Sequence, residues 1–247
     1  MINLTRIELL KLRTTRAIYA TGAASIVLTL VSALSSILVA PRPGDPPIGS
    51  ASQAHHVFQQ ASAVSSMAMF ILGVLVMAGE HRHRTILQTY LAEPRRSRVV
   101  TAKLTATGIV GAVIAGASYL ATLVTALPLY ASKGIHTLPI NLGGLGIGTV
   151  LSGACFALLG VAVGAVARNT VAAIVVGLIW IQVFEVAVLQ NMIPSVAKWL
   201  PVGASQGLTA SDTTHVLSQP IAAAVLVGWA AAMVLLAARF STRRELR

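Results

Sequence analysis

Residues 79–103 read GEHRHRTILQTYLAEPRRSRVVTAK and form the one long polar stretch set between two very hydrophobic ones. The stretch holds six of the chain's eighteen Lys and Arg residues. Basic residues beside hydrophobic spans stay on the cytoplasmic face of a membrane. The segment therefore reads as a cytoplasmic element joining two spans, and its internal order argues for structure. Glu80 stands at the foot of the upstream apolar block, and Thr85 to Leu91 has room for about two helical turns. Pro94 disfavours helix at Glu93, after which Arg95, Arg96, Arg98 and Lys103 lead into the next apolar block. A short helix bounded in this way lies across the membrane surface, rigidly joined to two spans. Such an element converts a push from a cytoplasmic partner into movement of those spans. The plainer alternative is a basic loop that obeys the positive-inside rule. That alternative leaves the Glu80, Thr85 and Pro94 framework without a purpose.

The rest of the chain agrees with a membrane setting. Of 247 residues 55% are hydrophobic and 10% are charged, whereas a soluble domain carries about 25% charged residues. The apolar residues come in long blocks, and crossing the hydrocarbon core takes about 20 of them. Strand-like alternation in segments of roughly ten residues, the signature of a membrane barrel, is absent. The expectation is an all-α membrane protein, residues 1–247 forming one transmembrane domain. Its six spans are expected at 17–40, 57–79, 104–130, 142–167, 170–190 and 219–239. The first block, Ala17 to Ala40, is too long for the apolar core of a signal peptide and reads as an uncleaved span. Ahead of it, residues 1–16 mix Leu4, Ile7, Leu10 and Leu12 with Arg6, Lys11, Arg13 and Arg16. That suits a helix in the cytoplasmic interface, or else a simple basic flank.

Individual spans carry further signals. The second opens with Gln59, Gln60, Ser62, Ser65 and Ser66, so that end is expected to face protein or a water-filled cavity. The third is expected to end near Pro128. Late in the fourth, Gly160-x-x-x-Gly164 has the small-residue spacing that lets membrane helices approach closely.

Charge sets the orientation. With the N-terminus inside, fifteen basic residues are cytoplasmic, and Arg42, Lys133 and Lys198 are outside. Both termini are then cytoplasmic. The first outer loop, PRPGDPPIGSASQAHH, reads as irregular. The last outer segment, 191–218, is too apolar for a solvated loop, with Ile193, Pro194, Val196, Trp199, Leu200, Pro201 and Leu208. It reads as short helices in the outer interface or re-entering the membrane.

The net charge of +11 does not point to nucleic acid. The basic residues flank spans, where they meet anionic lipid, and no aromatic-basic platform accompanies them. Catalytic motifs are missing: no G-x-x-x-x-G-K-[ST] phosphate loop, no G-x-S-x-G elbow, no H-E-x-x-H. ATP hydrolysis is therefore not encoded here, and any ATP-driven work needs a second chain. His55-His56 and His81-x-His83 lack the companions of a metal site, and the lone Cys155 permits no intrachain disulfide. Neither metal nor cofactor is expected on this chain.

Glu185 is the one carboxylate inside a span. A charge at mid-membrane costs about 2.5–3.5 kcal/mol on insertion scales. Counted from Thr170 it lies roughly 22 Å up a helix, towards the outer side of a ~30 Å core. Two readings stand. One is a polar contact at an interface between two membrane chains or on a path across the membrane, with Gln182 as a companion. The other is a carboxylate that reaches outer water or pairs with Lys198.

The quoted stretch resembles the region between the second and third spans of type-2 ABC transporter permeases, the membrane subunits of bacterial ABC exporters. In that family a Gly-Glu closes the second span, followed by a basic stretch, a Thr, a Leu, a Pro, an Arg and a Lys that opens the third. Gly79, Glu80, Arg82, Arg84, Thr85, Leu91, Pro94 and Lys103 fall in this order, and one of Arg95, Arg96 and Arg98 stands where the family has its arginine. Glu8 to Arg13 (ELLKLR), Arg168 to Thr170 and the Glu185 to Pro201 stretch are similar as well, so the likeness in span layout covers nearly the whole chain.

The resemblance implies a coupling helix within 80–103 seated in a cleft of a cytoplasmic ABC ATPase dimer, with the N-terminal helix adding contacts. It implies a second permease chain, ATP and Mg on the ATPase, and residence in the bacterial cell membrane. Glu80, Arg82, Arg84, Thr85, Leu91, Pro94, Arg95, Arg98 and Lys103 become the expected coupling residues. With few charges in the spans, a hydrophobic or amphipathic cargo is expected: a drug, a lipid-like molecule or a peptide. The alternative is a secondary transporter run by an ion gradient, which needs ionisable residues near the midplane. Only Glu185 approaches that requirement. A membrane-embedded enzyme would need clustered His, Asp or Glu at one face, and a non-transporting anchor would need no ATPase at all.

Overall fold

Every element among the described residues of the computed structural model is helical; these are residues 2–39, 46–83, 96–167, 169–209 and 216–244. Helix α1 covers Ile2–Arg13, α2 Arg16–Leu38, α3 Ala51–His83, α4 Arg96–Ser132 and α5 Leu142–Val166. Helix α6 starts as an α-helix at Thr170–Ile179, widens into a π-helix at Trp180–Leu189 and closes at Gln190–Met192. Two short helices follow, α7 at Pro194–Ala197 and α8 at Pro201–Thr209, and then α9 at Gln219–Arg244. Six stretches are long and apolar enough to cross a membrane: Arg16–Leu38, Ala51–Met77, Thr101–Ser132, Leu142–Val166, Thr170–Met192 and Gln219–Leu236. All six expected spans are there.

Helices α3 and α5 form the centre. In each, 61% of the apolar window is buried, against 17–28% in the other four spans. Between lipid-immersed helices the usual hydrophobic drive is missing, so backbones must meet closely enough for dispersion to hold them. Glycine makes that possible here. A Cβ added at Gly73 would sit 2.0 Å from the Ala157 carbonyl oxygen, and one at Gly160 would sit 2.1 Å from that of Phe70. The Gly160-x-x-x-Gly164 pattern thus lies against α3, where Val74 abuts Gly164. On the other side of α5, Gly153 faces Ala115 of α4 and Gly111 of α4 faces Ala157.

Polar side chains stitch the outer helices to this centre. Ser25 of α2 donates to Ser65 of α3 at 3.3 Å and lies 2.9 Å from Ser118 Oγ of α4, all three buried. The expectation that Ser65 faces protein is met. At the end of the bundle far from α1, buried Tyr130 donates to Gln53 Oε1 at 2.6 Å, and Gln53 Nε2 donates to the Ser36 carbonyl at 3.3 Å. Lys133 Nζ donates to the Ile37 carbonyl at 2.8 Å, satisfying an acceptor at the end of α2.

Two boundaries differ from the sequence reading. Helix α3 begins at Ala51, not 57, so the 51–56 part of the first outer loop is helical. Ser50 caps this start, accepting the Gln53 N–H on its Oγ, and the Gln53 side chain reaches one residue further back to the Gly49 N–H, both at 3.3 Å. Helix α4 continues through Pro128 to Ser132 and ends at Gly134, whose φ of 81° fits the left-handed cap. There the Ile135 N–H reaches the Tyr130 carbonyl and the Gly134 N–H that of Ala131, a Schellman arrangement. Of the two readings of 191–218, α8 follows the inward one and not the surface one. Its residues Val202 to Ser205 and Gly207 to Thr209 are buried, and it packs against α9, α5 and α3.

Candidate functional site

The expected coupling residues fall at the junction of α3 and α4. Glu80 and Arg82 lie on the last turns of α3, which stays helical to His83, six residues beyond the apolar stretch ending at Met77. Arg98 and Lys103 lie on the first turns of α4. Arg84, Thr85, Leu91, Pro94 and Arg95, and with them the expected short helix, lie outside the described residues.

Lys103 is the expected residue whose side chain is in view. Its Nζ lies 3.1 Å from Glu8 Oε2 of α1, with both side chains at most 7% exposed. Lys11 lies 3.8 Å from the other carboxylate oxygen, and Thr5 Oγ1 approaches Thr105 Oγ1 at 3.5 Å. Leu12 is buried in the same contact, while Ile7 and Leu10 are exposed. The N-terminal helix is therefore fastened to the base of α4. The sequence marked Glu8 only as part of ELLKLR. A lone acid in a basic helix and a lone Lys opening an apolar span were the available signals for a pair. A buried ion pair holds only with good geometry, and removing one partner strands a buried charge.

Glu185, the second candidate, sits in the π-helical part of α6 and is fully buried. The Gln190 N–H donates to the Glu185 carbonyl, five residues back, as the wider turn requires. Glu185 Oε1 accepts from the backbone N–H of Val202 and of Gly203, the latter at 3.3 Å. These are the first free donors of α8, whose preceding residue, Leu200, has no acceptor side chain. A carboxylate from a neighbouring helix thus does the work of an N-cap and also meets the positive end of the α8 dipole. Oε2 is buried without a hydrogen-bond partner among the described residues. This corrects one sequence reading, since Glu185 neither reaches outer water nor pairs with Lys198. Gln182 lies on the exposed side of α6, away from the carboxylate. A second tie joins the same helices, with Gln190 Nε2 donating to Gln206 Oε1 at 3.1 Å.

The paired histidines separate. His55 Nδ1 lies 3.4 Å from the Thr209 carbonyl, while His56 is exposed. Cys155 is buried as a free thiol in the core between α3, α5 and α9.

Six spans around a glycine-packed centre, with a basic junction at one end, define a multi-pass helical membrane protein. The family model described as "ABC-2 family transporter protein" matches residues 4–183, from α1 into the π-helical part of α6. The chain belongs to that family: it is the membrane-spanning permease of an ABC transporter. No curated protein matches it.

Proposed function

We propose that this chain is one half of an ATP-driven exporter, pairing with a second permease chain and with a cytoplasmic ABC ATPase dimer that carries the ATP and Mg. The observation that supports this most is the buried Glu8–Lys103 pair in a member of the ABC-2 family. It fixes α1 to the base of α4, so in this reading a push on α1 is passed to the third span. In this reading α1 lies in the cytoplasmic interface, its exposed Ile7 and Leu10 towards lipid and its basic residues towards the headgroups. Both termini are cytoplasmic, in a bacterial plasma membrane. The 80–103 segment, with Glu80, Arg82, Arg84, Thr85, Leu91, Pro94, Arg95, Arg98 and Lys103, is the docking element for the ATPase. The cargo is hydrophobic or amphipathic, since the spans carry few charges.

Glu185 weighs against the ion-gradient alternative. The one carboxylate within a span is already committed to the backbone donors of α8. The test is the mass of the complex purified in mild detergent after expression with the neighbouring genes. Two permease chains with two ATPase chains are expected. A chain that purifies alone, with no nucleotide-binding partner, overturns the reading.

A further inference from the structure

We propose that Glu185 is a positioning residue, the latch by which the fifth span holds the short helix α8 in its seat and carries α8 with it when the span moves. The two helices differ sharply in how they are held. Helix α6 is lightly packed, with 17% of its apolar window buried and Val171, Val176, Ile179, Trp180, Val183 and Phe184 exposed. Helix α8 is nearly enclosed. Its Leu208 carbonyl would lie 2.6 Å from a Cβ at Gly148 of α5, and its Gly207 lies against Leu217 and Ala222 at the start of α9.

Short polar ties join the light helix to the enclosed one: the Glu185 carboxylate on the N–H groups of Val202 and Gly203, and the Gln190–Gln206 pair one turn on. The π-helical turns supply the reason the carboxylate is available. They insert extra backbone per turn and bring Glu185 to the inner side of a helix whose residues 182–184 are exposed. Two backbone donors at a helix start stabilise Oε1 of a carboxylate at this depth, while Oε2 has no partner among the described residues. The connection through 193–200 is anchored separately, since Trp229 Nε1 donates to the Trp199 carbonyl at 2.8 Å. Helix α8 therefore has one side fixed to α9 and α5 and its N-terminus gripped by α6. Displacing α6 must either draw the start of α8 with it or break the grip. The second half of this inference, that the movement is ATP-driven, rests on the permease reading above.

Amide hydrogen exchange on the full chain in its purified complex tests the latch. In Glu185→Ala, exchange at Val202 and Gly203 should rise roughly tenfold or more, the scale of losing a hydrogen bond to a charged acceptor. Exchange in α5 should stay as in the wild type, which a general loss of stability would not allow. Glu185→Gln keeps an acceptor but not the charge and should fall between the two. If the Ala variant fails to accumulate, the Gln variant decides alone: faster exchange confined to the start of α8 supports the latch. Exchange unchanged at Val202 and Gly203, or raised equally throughout α5, overturns it.

A single reporter thiol, Ser205→Cys in a Cys155→Ala background, tests the movement with a membrane-impermeant maleimide. With the latch intact, labelling should change on adding ATP. In Glu185→Ala it should be high and indifferent to ATP while hydrolysis continues. A reporter that ignores ATP in the otherwise wild-type complex contradicts the ATP-driven half and leaves the exchange result to judge the latch.

Discussion

Lys103 Nζ and Glu8 Oε2 stand 3.1 Å apart in a contact almost closed to solvent, and they join the N-terminal helix to the base of the third span across 95 residues of sequence. Through this pair the base of α4 holds α1. The relationship gives α1, otherwise a short basic helix, a fixed place in the molecule.

Removing one partner should therefore be worse than removing both. Lys103→Met leaves Glu8 buried beside Lys11 alone and should cost about 3–5 kcal/mol. The double variant Glu8→Gln with Lys103→Met should recover a substantial part of that loss. Thermal unfolding of the detergent-solubilised chain, with trypsin cleavage after Arg13 as a local probe of α1, reads both. A double loss equal to the sum of the Lys103→Met and Glu8→Gln losses would show that the pair is not energetically coupled.

The glycine contacts at the centre predict strongly position-dependent effects. Gly160→Leu places a side chain where the Phe70 carbonyl stands, and no rotamer relieves a clash with backbone. The variant should fail to accumulate in the membrane. At Gly228 of α9, a Cβ meets nothing within 4 Å. Gly228→Ala should accumulate normally and gain up to about 1 kcal/mol from helix propensity. Fluorescence-detected size exclusion of tagged variants compares the two directly.

The six spans, their order and the presence of an N-terminal helix were legible in the sequence because each is a local property: a run of apolar residues, a Gly near an end, a basic flank. The early start of α3 was legible too, in Ser50-x-x-Gln53, but the His55-His56 pair and the Pro-rich start of the loop obscured it. The Gly134 stop after Tyr130 likewise outweighs Pro128, which stays inside α4 although it offers no N–H to the carbonyl four residues back. What could not be read was pairing at a distance. Nothing near Glu185 announces that its partners are backbone groups 17 and 18 residues on, and the π-helical turns that aim it have no sequence signature. Ser25, Ser65 and Ser118 meet only because three helices converge, and Glu8 finds Lys103 for the same reason.

Tyr130 and Gln53 give a graded prediction at the other end of the bundle. Tyr130→Phe removes the donor but leaves Gln53 Oε1 with the Gly49 N–H, so the loss should be about 1 kcal/mol. Gln53→Ala strands the buried Tyr130 hydroxyl and also frees the Ser36 carbonyl, so it should cost more, about 1–3 kcal/mol. Thermal midpoints of the two variants in one detergent should fall in that order. The reverse order would remove Gln53 from the role of linking α2, α3 and α4.

Trp229 and Trp199 fix the chain between α7 and α8. Trp229→Phe keeps the ring packing and loses the Nε1–H bond to the Trp199 carbonyl. Stability should fall by about 1 kcal/mol, with protease sensitivity rising at 193–200 and not in α5. Limited proteolysis with mass mapping locates the effect, and cleavage spread evenly along the chain would contradict this anchoring.

The central claim is that this permease is driven through the segment that begins at Glu80. ATP hydrolysis by the co-purified complex tests it most directly, measured for the wild type, for Glu80→Gln and for a chain shortened within Thr85–Leu91. The account predicts a bound ATPase whose hydrolysis in the wild-type complex is altered in both variants, with permease abundance in the membrane unchanged. Hydrolysis and ATPase binding that are the same in all three would contradict it.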